Sequence, residues 1–216
     1  MEAEWANVFH DTIIGSDWYK PCAISPGRGA VGYNALYVIY RVLNELRPQC
    51  ILECGSGEST KLFLQYAEFF GANLDVVEHS PFWLNLFLTN NPLGKKYCTA
   101  VKETYTSVMA CAPKSRSYDW QEFLKKKGRR YEFVFVDGPN GSPSYSRPQV
   151  LDLIPHLADN FAIVMDDYER PGEQETIAEL GRRLLESGRD YVETVYYSKK
   201  QVILLRSPSL GILASI

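Results

Sequence analysis

The sequence predicts an α/β fold built on a doubly wound, mostly parallel sheet with helices on both faces. Three observations point to it. Strand patterns and helical patterns alternate from Cys50 to Ser187, and such alternation builds parallel sheets through crossover helices. Four apolar runs close on acidic residues: Glu53, Glu78, Asp137 and the pair Asp166-Asp167. The first run leads into Glu53-Cys54-Gly55-Ser56-Gly57, a tight glycine turn that opens a helix.

Taken in order, residues 1–32 carry Trp5, Phe9, Trp18 and Tyr19, then Pro21, Pro26, Gly27, Gly29 and Gly32, which predicts a short helix followed by a loop. Leu36, Ile39, Tyr40, Leu43 and Leu46 fall at helical spacing from Tyr33 onward, and Pro48 closes that helix. Residues 50–53 are the first strand, and a helix over 59–70 stops at Gly71. A strand over 74–78, a helix over 81–89, a weak third strand over 99–104 and a short helix over 120–127 follow. Residues 132–137 read as a buried strand with a turn at Gly138-Pro139-Asn140-Gly141. Residues 145–157 are expected to be mostly helix, 161–167 strand, and 173–187 an amphipathic helix ended by Gly188. Residues 191–197 and 201–206 flank Ser198-Lys199-Lys200 as an antiparallel hairpin.

The 216 residues suit one domain, which at this length buries roughly 70% of the unfolded chain's surface. Hydrophobic residues at 45% and charged residues at 23% belong to a globular chain rather than a disordered one. A net charge of −3 offers no basic excess for nucleic acid, and the local cluster Lys125-Lys126-Lys127-Gly128-Arg129-Arg130 reads as a solvated helix end. Cys22, Cys50, Cys54, Cys98 and Cys111 are odd in number and contain no C-x-x-C, so neither a disulfide framework nor a structural zinc site is expected. The first residues carry no signal-peptide pattern and no apolar run reaches the roughly 18 residues of a membrane span, so the expected location is the cytoplasm.

Glu53-Cys54-Gly55-Ser56-Gly57, Glu78 and the terminal hairpin resemble the class I S-adenosylmethionine-dependent methyltransferases over about residues 33–207. The resemblance implies a Rossmann-like, seven-stranded sheet, with 1–32 as an N-terminal cap and 208–216 as a tail. It implies a cofactor site made by Glu53, Gly55, Ser56, Gly57, Glu78, His79 and Asp137, with Gly55 and Gly57 under the methionine part of S-adenosylmethionine. Glu78 would take the ribose, because vicinal hydroxyls are two donors and one carboxylate accepts both. His79 either faces the adenine or is a plain loop histidine. A dinucleotide fingerprint would want a third glycine where Thr60 stands, and a P-loop would need a G-K-[ST] that the chain lacks.

Val134-Phe135-Val136-Asp137 and Val164-Met165-Asp166-Asp167 resemble the cation-dependent, catechol-type O-methyltransferases. That resemblance makes Asp137, Asp166 and Asp167 candidate ligands of Mg²⁺, since converging carboxylates need a cation or protons between them. Two departures oppose it: Pro139-Asn140-Gly141 stands where that family has a lysine base, and Asp167 replaces a commoner Asn. The other reading makes Asp137 the catalytic centre with no required metal. A weaker resemblance, carried by Asp137-Gly138-Pro139-Asn140-Gly141, Arg147-Pro148 and the stretch from Asp167 to Glu173, is to plant polysaccharide methyltransferases acting on glucuronic acid. It implies that Arg147 and Arg170 join Asp137 and grip an acceptor carboxylate; the plain alternative is a salt bridge for each. Trp5, Trp18 and Tyr19 either cap the pocket or pack on the sheet edge, His10 is a base only if the cap brings it in, and His156 is structural.

The expected function is therefore methyl transfer from S-adenosylmethionine to an oxygen of a small, anionic, sugar-acid-like molecule. The rival is a scaffold that keeps the fold and has lost the chemistry, a reading favoured by the absence of an obvious base. Nucleic acid is not an expected partner, since there is no basic face and no N/D-P-P-[YF] tetrapeptide, and neither is a membrane. The sequence leaves the oligomeric state open, a homodimer included.

Overall fold

A computed structural model describes residues 1–25, 30–110, 112–211 and 213. Pro26, Gly27 and Gly29 of the expected loop, Cys111, and residues 212 and 214–216 of the expected tail lie outside the described residues.

Helices α1 (Glu2–Thr12) and α2 (Tyr33–Leu46) precede β1 (Cys50–Cys54), α3 (Glu58–Phe70), β2 (Asn73–Glu78), α4 (Pro81–Asn90) and β3 (Cys98–Ala100). A hairpin of β4 (Lys102–Thr106) and β5 (Ser115–Asp119) comes next, then α5 (Gln121–Lys127) and β6 (Tyr131–Val136). A 3₁₀ helix (Pro148–His156), β7 (Leu157–Met165), α6 (Pro171–Glu186), β8 (Val192–Tyr196) and β9 (Val202–Arg206) complete the chain. The main sheet has seven strands in the order β3-β2-β1-β6-β7-β9-β8. β9 runs antiparallel to both neighbours and the other pairs are parallel.

The central strands are continuous apolar runs because both of their faces are covered. Successive side chains alternate between two cores. Ile51, Phe133, Phe135, Ala162 and Val164 pack with α2 and α3. Leu52, Val134, Val136, Ile163 and Met165 pack with Trp120, Leu124 and α6. β1 and β6 lie side by side where the strand order reverses, so a crevice opens beyond their carboxyl ends.

Two sequence expectations are corrected. The weak third strand splits. Cys98–Ala100 pairs with β2, whereas Lys102–Thr106 leaves the sheet to pair antiparallel with Ser115–Asp119, a strand the pattern did not predict. Residues expected as an α-helix over 145–157 form the 3₁₀ helix instead, entered through Arg147 at φ 55 and interrupted by Pro155. Of the two readings open for Trp5, Trp18 and Tyr19, the structure shows ring packing. Trp18 stacks on Tyr40 with centroids 5.1 Å apart, Tyr19 meets Tyr40 edge-on, and Trp5 leans on Tyr37 and Tyr196. Among the described residues no helix is long and apolar enough to cross a membrane.

Candidate active site

β1 delivers the glycine turn to the crevice. Gly55 sits at φ +94, a conformation that a Cβ strains, and its N–H donates to Val77 O at 2.8 Å. A Cβ there would also meet Gly138 N at 3.2 Å and the carbonyl carbon of Asp137 at 3.3 Å, so the β1 and β6 turns touch backbone to backbone. Gly57, with open space where its Cβ would stand, donates its N–H to Thr60 Oγ1 at 2.8 Å as α3 begins. Above these turns lies a cleft of about 660 Å³, lined by Gly55, Ser56, Gly57, Glu78, His79 and Asp137, together with Trp83 and Tyr118. Ser25, Ala30 and Val31 of the N-terminal segment also reach it. Ser25 N–H donates to Glu58 Oε2 at 2.9 Å, and Lys200 Nζ donates to Ala30 O at 3.0 Å.

Glu78 closes β2 at the cleft. Its Oε2 accepts from Ser56 N and Oγ at 3.0 and 3.2 Å, and its Oε1 accepts from Ser80 N at 2.8 Å with His79 Nδ1 at 3.0 Å. Burial alone would raise this carboxyl; the His79 contact and the Ser80 and Ser56 N–H groups outweigh it and hold Glu78 below its ordinary value. The Glu78 carboxylate 3.0 Å away, outweighing burial, raises His79 in turn. Trp83 Nε1–H donates to Ser56 O, pinning α4 to the glycine turn.

Glu53 is placed differently from the expectation. It is buried beneath the turn rather than lining the cleft, and its Oε1 accepts from Ser59 Oγ at 2.6 Å in the first turn of α3. Its Oε2 has no partner among the described residues. Burial, only partly offset by Ser59 and Thr60, pushes its carboxyl up to about 8. A carboxyl raised on folding costs nothing below its unfolded value and destabilises progressively as pH climbs toward the folded one. Glu53→Gln is therefore expected to match wild type near pH 4.5 and to exceed it at pH 8, by on the order of 4 kcal/mol. Melting curves at the two pH values check this, and a variant advantage that does not grow with pH refutes it.

The acidic centre gathers behind Asp137. Arg147, held in the left-handed region, is buried with an acceptor for each of its five N–H groups. Nε faces Pro139 O at 3.3 Å, and Nη1 faces Val136 O at 3.4 Å and Asp166 O at 2.9 Å. Nη2 faces Asp137 Oδ1 at 3.2 Å and Asp167 Oδ2 at 2.7 Å. This corrects the expectation that Arg147 grips an acceptor, because the guanidinium ties the ends of β6 and β7 together and has no donor to spare. Arg170 is 44% exposed at the rim, with Nη1 2.9 Å from Asp167 Oδ2 and 3.8 Å from Glu173 Oε1. Lys200, from the hairpin turn, brings Nζ to 3.2 Å from Asp167 Oδ1 and 3.5 Å from Asp166 Oδ2.

These charges sort the carboxyls. Burial pushes Asp137 up to about 6 against the pull of Arg147. Burial, then the neighbouring Asp137 and Asp167, push Asp166 up. Burial works on Asp167 too, but Arg147, Lys200 and Arg170 outweigh it and hold it low. One oxygen each of Asp137, Asp166 and Asp167 lies within 4.8 Å of the others, close enough to share a cation. The cations facing them belong to the chain itself. His10 lies apart from all of this, in a hollow of about 490 Å³ beside Cys22 and Tyr33 that shares no lining residue with the cleft. Tyr118, Trp83 and Lys200 carried no local signal of a site: Tyr118 sits in a polar strand, Trp83 in an apolar helix and Lys200 in a turn.

Among solved structures, an O-methyltransferase of Bacillus cereus in complex with S-adenosylhomocysteine matches with a TM-score of 0.55 and 14% identity, covering 95% of this chain and 90% of that one. An S-adenosylhomocysteine-bound methyltransferase of Podospora anserina matches with a TM-score of 0.54 and 14% identity, covering 95% and 87%. At this identity the likeness shows the fold, the Rossmann-like α/β sheet that these methyltransferases share. No family model matches the sequence, and no curated protein does.

Proposed function

We propose that the chain transfers a methyl group from S-adenosylmethionine to an oxygen of a small molecule. The observation that carries this reading is the cleft at the strand-order reversal, lined by an ionised Glu78, the Gly55 turn and Asp137. The residues fit the cofactor. Ser56 Oγ and His79 Nδ1 stand 3.2 and 3.0 Å from the Glu78 oxygens, and a ribose diol taking those oxygens would require both side chains to rotate away. When bound, the cofactor supplies an electrophilic methyl on a sulfonium.

The chain's own residues do the rest. Gly55 leaves room above the sheet, and Glu78 orients the ribose. Asp137, with Oδ1 on Arg147 and no hydrogen-bond partner on Oδ2 among the described residues, accepts the proton of an acceptor hydroxyl. A carboxyl near 6 is suited to that task at neutral pH. Ser25, Ala30 and Val31, which line the cleft, limit water there. Mg²⁺ is not part of this reading: a dication among Asp137, Asp166 and Asp167 would face Arg147, Lys200 and Arg170, which already balance them. An anionic acceptor would rest on Arg170 alone, the exposed guanidinium of the pair.

Each hydrogen bond to an ionised group is worth roughly 1.5–3 kcal/mol. Glu78→Ala is accordingly expected to weaken S-adenosylhomocysteine at least tenfold in a calorimetric titration, with melting curves showing a folded variant. Equal affinity in variant and wild type refutes the ribose assignment. A wild type that binds the cofactor product yet methylates no acceptor supports the silent scaffold instead.

A further inference from the structure

The turn between β8 and β9 carries Lys200 to the acidic centre, and the chain fixes that turn from two sides. On the side of the N-terminal segment, Asn34 Nδ2 donates to Lys200 O at 2.8 Å and Ser198 Oγ donates to Glu2 Oε2 at 2.7 Å. On the side of β7, Tyr168 N–H donates to Gln201 O at 2.8 Å and Gln201 N–H donates to Glu169 Oε2 at 2.8 Å. The ammonium is thus held where three oxygens converge: Ala30 O at 3.0 Å, Asp167 Oδ1 at 3.2 Å and Asp166 Oδ2 at 3.5 Å. Burial alone would lower this lysine; Asp166, Asp167 and Asp137 outweigh it and hold it above its ordinary value.

Two carboxylate oxygens and a main-chain carbonyl are the donors that a hard divalent ion takes. Asp166 and Asp167 are 0% and 2% exposed, and Asp166 Oδ1 has no hydrogen-bond partner among the described residues. Arg147 and Arg170 engage the other oxygen of Asp167, Oδ2, so they leave this place open. Among the described residues the Lys200 ammonium is the cation that fills it. A dication on the same oxygens would stand roughly 2.0–2.6 Å from each and against the ammonium, where like charges repel strongly away from water. The residues present therefore do not fit the Mg²⁺ that the catechol-type resemblance implies, and the misfit lies in one side chain.

We propose that the Lys200 ammonium is the resident cation of the acidic centre, seated among Asp166 Oδ2, Asp167 Oδ1 and Ala30 O in place of a divalent metal. Its three protons match the three oxygens, so the centre is complete within the chain. Lys200 is a positioning residue in this role. It fixes the carboxyl ends of Asp166 and Asp167 and ties them to Ala30, which lines the cleft. The inference goes beyond methyl transfer and does not depend on it, since it concerns the cation that the fold itself supplies.

The test asks whether removing the ammonium creates a metal site. Mn²⁺ is the probe, followed by the electron paramagnetic resonance of the free ion and by melting midpoints of the full chain, at about pH 8 so that the carboxyls are ionised. Lys200→Met is expected to bind Mn²⁺ roughly tenfold or more tighter than wild type, and Mn²⁺ is expected to raise the midpoint of this variant and not that of wild type. Lys200→Arg, which keeps the charge, is expected to behave as wild type does. Adding Asp166→Asn to Lys200→Met is expected to abolish the gain. A wild type that binds Mn²⁺ as tightly as Lys200→Met overturns the proposal, and so does a Lys200→Met that gains no binding. A gain shared by Lys200→Arg, or one that survives Asp166→Asn, also overturns it, because the ion would then owe nothing to the ammonium's place or to its oxygens. If Lys200→Met is unfolded without metal, it and Lys200→Gln are expected to fold when Mn²⁺ is added, and failure of both to do so overturns the proposal. No arm uses S-adenosylmethionine, so each of these failures is distinct from a failure of the methyltransferase reading.

Discussion

Asp137→Asn is expected to slow methyl transfer by roughly 10²–10⁴-fold, the usual range for loss of a general base. The substitution keeps the shape of the side chain and its contact with Arg147 Nη2, and it removes the proton acceptor. Asp137 is the one member of the acidic centre that lines the cleft; its side chain is 23% exposed, whereas Asp166 and Asp167 are buried behind it. Only the deprotonated form accepts a proton, so the wild-type rate is expected to rise as pH climbs through about 6 and to level off above it. The Asn variant lacks that rise. Chelator is expected to leave the wild-type rate unchanged, because Arg147 and Lys200 supply the positive charge that a metal would bring. Single-turnover rates across pH, with any acceptor that wild type methylates, check all three statements. A variant that keeps more than a tenth of the rate removes Asp137 from the proton transfer, and a rate abolished by chelator and restored by Mg²⁺ restores the metal reading.

Arg147→Ala is expected to destabilise the fold by about 3–5 kcal/mol, the cost of leaving buried charges without their partner. In a chain of this length that lowers the melting midpoint by roughly 10 °C. The guanidinium is bonded to Asp137 and Asp167, stands 3.8 Å from Glu173 Oε1, and also satisfies three backbone carbonyls at the ends of β6 and β7. Arg147→Lys is expected to recover only part of the loss, since a lysine keeps the charge but supplies three donors from a single nitrogen in place of five in a fixed fork. Denaturant titration of both variants is the measurement. A loss under about 1 kcal/mol for Arg147→Ala would mean that the carboxyls relax by protonation or hydration, and that the guanidinium does not hold the centre together.

The two substitutions also separate what was readable along the chain from what was not. The apolar runs that became β1, β2, β6 and β7 were legible because a strand covered on both faces must be apolar throughout, a requirement each segment shows by itself. The turn at Gly55 was legible because a positive φ calls for glycine whatever the rest of the chain does. The β4–β5 hairpin was not. Lys102, Glu103, Tyr105 and Thr106 are polar or exposed, so no hydrophobic face marks them, and their pairing depends on partners from Ser115 to Asp119 beyond an intervening loop.

The sequence by itself determined the alternation of strands and helices, the glycine turn and the four acidic strand ends that meet at one edge, because all of these follow from local periodicity and backbone limits. The tertiary structure alone decided what each of those acids does. Glu53 turns beneath the loop to Ser59, Glu78 stays ionised among Ser56, His79 and Ser80, and Asp137 faces the cleft. Asp166 and Asp167 are enclosed by Arg147 and by Lys200, which reaches them from 34 residues away in the sequence of Asp166. A carboxyl's charge state and reach are set by its burial and by the charges beside it. Both are properties of distance in space, and a linear pattern of residues holds no record of that distance.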